Sequence, residues 1–138
     1  MSFASARFEP DTPPYDRAAL AALLDAAPHA FADPHGADTW HLSANQRLAA
    51  RARAARVADP TRFPPGVLVR LRDEGVLIDQ QGGAADLARG REIVEWLLAR
   101  GRWQVVTEYG ARGWVTDVAQ LYPDPLPDPA TLTDDPLG

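Results

Sequence analysis

Three histidines, His29, His35 and His41, fall six residues apart in the stretch 28–42, with Asp33 and Asp38 between them. Imidazole nitrogens and carboxylate oxygens are ligands for a divalent ion, so a folded-back loop here could hold a metal and activate a bound water. The spacing matches no strong metal pattern, such as two His one helical turn apart, and a solvated loop bearing imidazoles is the plainer expectation. Ser43 follows His41 by two residues, but it lacks the Gly-x-Ser-x-Gly context of an activated nucleophile and is better placed to cap a helix. The other serines, Ser2 and Ser5, lie at the N-terminus. The sequence contains no Cys, and all fourteen basic residues are Arg. Thiolate nucleophiles, Schiff-base lysines, pyridoxal anchoring and the P-loop lysine are therefore excluded. Glu92 and Glu95 share a helix face and could act as a carboxylate pair, but Arg89 and Arg91 stand three and four residues before them and offer ordinary helix-surface ion pairs.

With catalytic motifs missing, the residues that remain are those that concentrate binding energy, Trp and Arg. Three of the four Trp occur between Gly82 and Val118, and Arg89, Arg100 and Arg112 accompany them. On a helical wheel Trp96 falls outside the apolar arc of its helix, close in angle to Arg89 and Arg100. The expected function is a noncatalytic protein-binding module, such as a small complex subunit, inhibitor or immunity-type partner. It would meet another protein through Trp96, Arg89, Arg100, Trp114 and Arg112, with no cofactor. A DNA-binding regulator is the alternative, in which a helix over 44–57 and a second over 65–74 would look like the helix-turn-helix core of a winged helix and present Arg47, Arg51, Arg70 and Arg72. A small metal-dependent enzyme built on His29, His35 and His41 is the second alternative.

These residues need elements to position them. Leu20, Leu23, Leu24 and Ala27 recur at helical spacing from Tyr15 to Ala27, with Asp16 as cap and Pro28 as stop. The segment 28–42 reads as loop from its Pro, Gly and Asp content. Ser43 would cap a helix ending before Asp59-Pro60. The stretch 66–78 reads two ways, and alternating Val67, Val69 and Leu71 with Gly66 near the start favour a hairpin over a helix. A helix over 86–100 capped by Asp86 follows, with Gly90 letting a neighbouring backbone approach. A hairpin from Trp103 to Val115 closes the series. Before all of these, Phe3 to Phe8 allows at most one edge strand. The expected fold is α+β: two N-terminal helices, then a four-stranded, mainly antiparallel ββαββ sheet with one central helix packed on it.

At 138 residues, 46% of them hydrophobic and 24% charged, the chain suits a single core. We expect one domain over 1–121 and an extended or disordered tail over 122–138, where five Pro and four Asp concentrate. Those Asp residues supply four of the five net negative charges, so no strongly basic footprint for nucleic acid is present. No window approaches a membrane span and the first residues do not resemble a signal peptide, which predicts a soluble cytoplasmic protein.

Overall fold

The computed structural model of the protein describes residues 3–81 and 83–122. In chain order its elements are β1 Ser5–Pro10, α1 Arg17–Ala26, β2 Ala30–Ala32, β3 Thr39–Leu42, α2 Gln46–Ala58, β4 Gly66–Leu71, β5 Val76–Gln81, α3 Ala84–Leu98, β6 Trp103–Thr107 and β7 Arg112–Val115. The described strands join in one seven-stranded sheet of order β2-β3-β4-β5-β1-β6-β7, antiparallel throughout. The α+β class holds, but the four-stranded sheet is corrected to seven strands, and the two expected N-terminal helices do not lead the fold: β1 precedes α1, and β2 and β3 separate α1 from α2. The ββαββ segment is present as β4 to β7 with α3, and its two hairpins do not pair with each other. β1 lies between them, pairing Phe8 with Val76 on one side and with Val105 on the other.

Two sequence patterns explain the difference. Strand β3, Thr-Trp-His-Leu, is buried at all four positions, so it shows none of the polar alternation that marks a half-exposed strand. Its partner β2 is only three residues long. Strand β1 sends Ala6 and Phe8 into the core and Arg7 outward, where Arg7 pairs with Glu9 at 3.2 Å. A central strand of a sheet with one solvated face is as polar on that face as an edge strand. Nothing local distinguishes the two.

The ambiguous stretch is the hairpin β4–β5, registered from Gly66 opposite Gln81 to Leu71 opposite Val76. Gly75 is required at its turn, because a Cβ there would run into the Phe8 carbonyl oxygen of β1. Val67, Val69, Leu71, Val76 and Ile78 face one side of the sheet, where Leu20 and Leu24 of α1 and Ile93, Val94 and Leu97 of α3 cover them. Asp16 caps α1 as expected, its side chain accepting from the Ala19 N–H at 3.0 Å. Helix α2 is capped by Asn45 rather than Ser43, whose own N–H still continues the strand pairing by donating to the His29 carbonyl at 2.9 Å. Helix α3 begins two residues before Asp86, with Gly83 as a cap lacking a side-chain bond. Tyr122, placed by the sequence in the tail, is buried against Phe3 and donates to Gln80 Oε1 at 2.9 Å. The rest of the expected tail, 123–138, lies outside the described residues. No helix among the described residues is long and apolar enough to cross a membrane.

Candidate functional site

The short connection 99–102 between α3 and β6 builds a corner from residues that the sequence placed on separate elements. Trp96 sits in the last turns of α3, half-buried, and packs against the core. Arg100 folds back over it, with the guanidinium carbon 3.8 Å from the ring centroid and Nη1 donating to the Trp96 carbonyl at 3.3 Å. Arg102 leaves the other side of Gly101 and lies over the ring of Trp114 at 4.2 Å. Trp114 is on β7, directly opposite Gln104 on β6, and is 41% exposed. Trp103 points inward, and its indole N–H donates at 2.8 Å to the Leu97 carbonyl, which also accepts the Arg100 N–H at 3.0 Å at the end of α3.

Facing this corner is the loop from Pro10 to Asp16. The Asp11 N–H donates to the Arg102 carbonyl at 2.8 Å, which pins the loop to the start of β6. Tyr15 meets Trp103 edge-on with ring centroids 5.7 Å apart and donates its hydroxyl to the Arg72 carbonyl at 2.7 Å. Burial pushes that hydroxyl's pKa up, so Tyr15 stays a neutral donor. Between loop and corner lies a cleft of about 490 Å³ lined by Tyr15, Trp96, Trp103, Arg100 and Arg102, with Asp11 and Asp16 on the loop side. Asp16 is occupied in capping α1. None of the described lining residues is a His or Ser. The arrangement offers aromatic faces and two oriented guanidinium groups, which suit recognition of an apolar group beside a carboxylate.

The structure brings together two of the five expected partner-binding residues, Trp96 and Arg100, while Trp114 lies outside the cleft lining, on the sheet face of Gln104, and is joined to it through Arg102. Arg112 lies on the adjoining outer face, where it donates to Gln104 Oε1 at 2.8 Å and pairs with Glu9 at 3.4 Å. Arg89 is a correction. It is 4% exposed, bonds the Pro28 carbonyl through Nη2 and pairs with Glu92 at 3.0 Å, so it is an internal tie and not a contact surface. The helical wheel ranked it with Trp96 because both share an angle. Nearly two turns of axial rise separate the buried Arg89 from the half-buried Trp96 near the end of the helix. Arg102 and Tyr15 were missed; Arg102's place next to Gly101 and Arg100 was the only signal.

The three His are not gathered. His41 Nε2 lies 2.9 Å from Asp33 Oδ1 in a buried cluster, His35 Nε2 lies 2.8 Å from the Arg56 carbonyl, and His29 Nδ1 lies 3.5 Å from Gln46 Oε1. Among the described residues no three His, Asp or Glu converge as a metal-ligand group. Asp33 instead takes a two-pronged grip from Arg56, Nε to Oδ1 at 2.7 Å and Nη2 to Oδ2 at 3.3 Å, while Phe31 stacks on His41 at 4.9 Å. Burial raises the Asp33 carboxyl, but the hydrogen bonds from Arg56 and His41 outweigh it and hold the pKa at about 2. The ionised carboxylate only accepts, so Nε2 of His41 carries the hydrogen; burial lowers the His41 pKa and keeps the ring neutral.

The basic residues of the winged-helix alternative are likewise spread. Arg47 and Arg51 are on α2, Arg70 is on β4 with Nε donating to Thr39 Oγ1 at 3.2 Å, and Arg72 is in the β4–β5 turn. Because 66–71 is a strand, the second helix of that motif does not form. Comparisons with protein-family models, with curated proteins and with solved structures found no match for this chain.

Proposed function

We propose that the chain is a noncatalytic protein-binding module that captures another protein at the corner between α3 and β6, taking a segment with an apolar side chain next to a carboxylate. The observation that carries this is the pair of Trp–Arg stacks, Arg100 on Trp96 and Arg102 on Trp114, whose two guanidinium groups line one cleft. A guanidinium lying flat on an indole has already lost much of its rotamer freedom, so its N–H edge meets a carboxylate at a smaller entropic cost than a free Arg would. The cleft floor of Tyr15 and Trp103 supplies apolar area, and Trp, Tyr and Arg are the residue types in which interface energy concentrates. Arg112 and Glu9 on the outer face form the polar rim of the same surface.

Trp96 supports both the core and the cleft, so its truncation mixes stability with binding. Trp114→Ala and Arg100→Glu separate them. The partner is to be captured by cross-linking to the wild-type chain and identified by mass spectrometry. Its affinity is then measured for both variants. Each is expected to weaken binding by about 10- to 100-fold, the range of a hot-spot residue, while melting temperature moves little. Unchanged affinity in the double variant with a normal melting curve would remove this corner as the contact.

A further inference from the structure

A second cavity, of about 410 Å³, opens where α2, the segment 62–65 and the first turn of α3 meet, at the other end of α3 from the Trp–Arg corner. Its wall is apolar: Leu48, Ala52 and Ala55 from α2 face Phe63 and Pro64. Phe63 is 54% exposed, although Arg56 covers one face of its ring at 4.2 Å. A large apolar side chain left open beside an apolar cavity marks a place where a ligand would remove area from water. Three charges line the same cavity: the carboxylate of Asp86 on α3 and the guanidinium groups of Arg51 on α2 and Arg62 on the loop. Among the described residues no ion pair or hydrogen bond engages any of these three side chains. Opposite charges thus border one apolar space without neutralising each other.

We infer that this cavity binds a free α-amino acid with a large apolar side chain, its ammonium on Asp86, its carboxylate on Arg51 and Arg62, and its side chain against Phe63 and Leu48. An acid and two guanidinium groups bordering one apolar space complement a molecule that carries an ammonium, a carboxylate and an apolar side chain, and neither a simple amine nor a simple carboxylate. A further mark of the site is the Asp86 carboxyl itself. Burial pushes its pKa up to about 6, and neither guanidinium counteracts the shift. Since only the ionised form pairs with an ammonium, binding is strongest above pH 6 and declines below it. At pH 5 a carboxyl of pKa about 6 is ionised in about one molecule in ten, so binding is expected to fall about tenfold from its value at pH 7.5.

Calorimetric titration of the full chain with L-phenylalanine, L-leucine, 3-phenylpropionate and 2-phenylethylamine tests the inference. Saturable binding of at least one of the two amino acids in the millimolar range or tighter is expected, with loss of either charge weakening it by tenfold or more. Asp86→Asn is expected to weaken the amino acid and abolish the pH dependence. Ala55→Leu, at an exposed position on the cavity wall, is expected to block the site while the melting curve shows an intact fold. Equal affinities for the zwitterion and its two single-charge analogues would mean apolar partition only and would overturn the assignment, as would the absence of saturable binding by either amino acid.

Discussion

Asp33 has a side chain only 2% exposed, yet it is ionised because Arg56 and His41 converge on it. Removing one member of a buried ion pair strands the other, so Asp33→Asn is expected to cost about 3–5 kcal/mol at pH 7, read from urea unfolding. The pH dependence has a definite sign. The folded carboxyl titrates at about 2, below its usual 3.8, so its contribution is present above pH 4 and is lost as pH falls through 2. His41 is also depressed, by burial, so its neutral form contributes stability that declines as pH falls below the usual 6.5. Both losses run the same way, and the gap between wild type and Asp33→Asn should narrow steadily between pH 4 and 2. A gap that stays constant would show that folding does not lower the Asp33 pKa. The sequence could suggest a metal from these same side chains because His and Asp are the ligand types for both roles. What separates the roles is Arg56, which stands 23 residues beyond Asp33 and carries no local mark of its partner.

Helix α3 shows what periodicity conveys and what it leaves out. The buried arc of Ile93, Val94 and Leu97 and the pairs Arg89–Glu92 and Arg91–Glu95 follow from spacing alone, though the burial of Arg89 does not. Gly90 was expected to admit a neighbouring backbone. Its neighbours are side chains, Gln80 from β5 and Tyr122 beyond β7, and a Cβ at Gly90 would collide with Gln80 Oε1. Gln80 accepts from Tyr122 and donates to the Phe3 carbonyl at 3.0 Å, so displacing it disturbs two buried hydrogen bonds. Gly90→Ala therefore sets a helix-propensity gain of about 1 kcal/mol against a loss of about 1–3 kcal/mol for each buried polar group left unpaired. The loss wins, and a lower melting temperature is expected for this nominally helix-favouring change. A higher one would mean that Gln80 has a second well-bonded position. The Trp–Arg corner is the other limit of periodicity. It is assembled by a connection, and its members Arg102 and Tyr15 belong to no helical or strand repeat of Trp96.

At the scale of the molecule, the decisive feature is that the first strand is the centre of the sheet. β1 alone joins the block β2-β3-β4-β5 to the hairpin β6–β7, through pairings that run from Ser5 to Pro10 across gaps of seventy to a hundred residues. Local pattern carries no information about such pairings, which is why the two hairpins were legible and their separation was not. The dependence can be measured. A chain lacking residues 1–10 loses Phe8, which is fully buried, and leaves β5 and β6 each with an unpaired edge beneath α3. Truncating one buried Phe costs about 3–5 kcal/mol, and total domain stability is about 5–15 kcal/mol, so loss of the whole strand exceeds what the remaining core can hold. The shortened chain is expected to show no cooperative urea transition and to regain one when the ten-residue peptide is added at high concentration, since the peptide can refill the central slot. A cooperative transition without the peptide would mean that β5 and β6 pair directly. That pairing would be parallel, because both run antiparallel to β1, with α3 as the crossover between them.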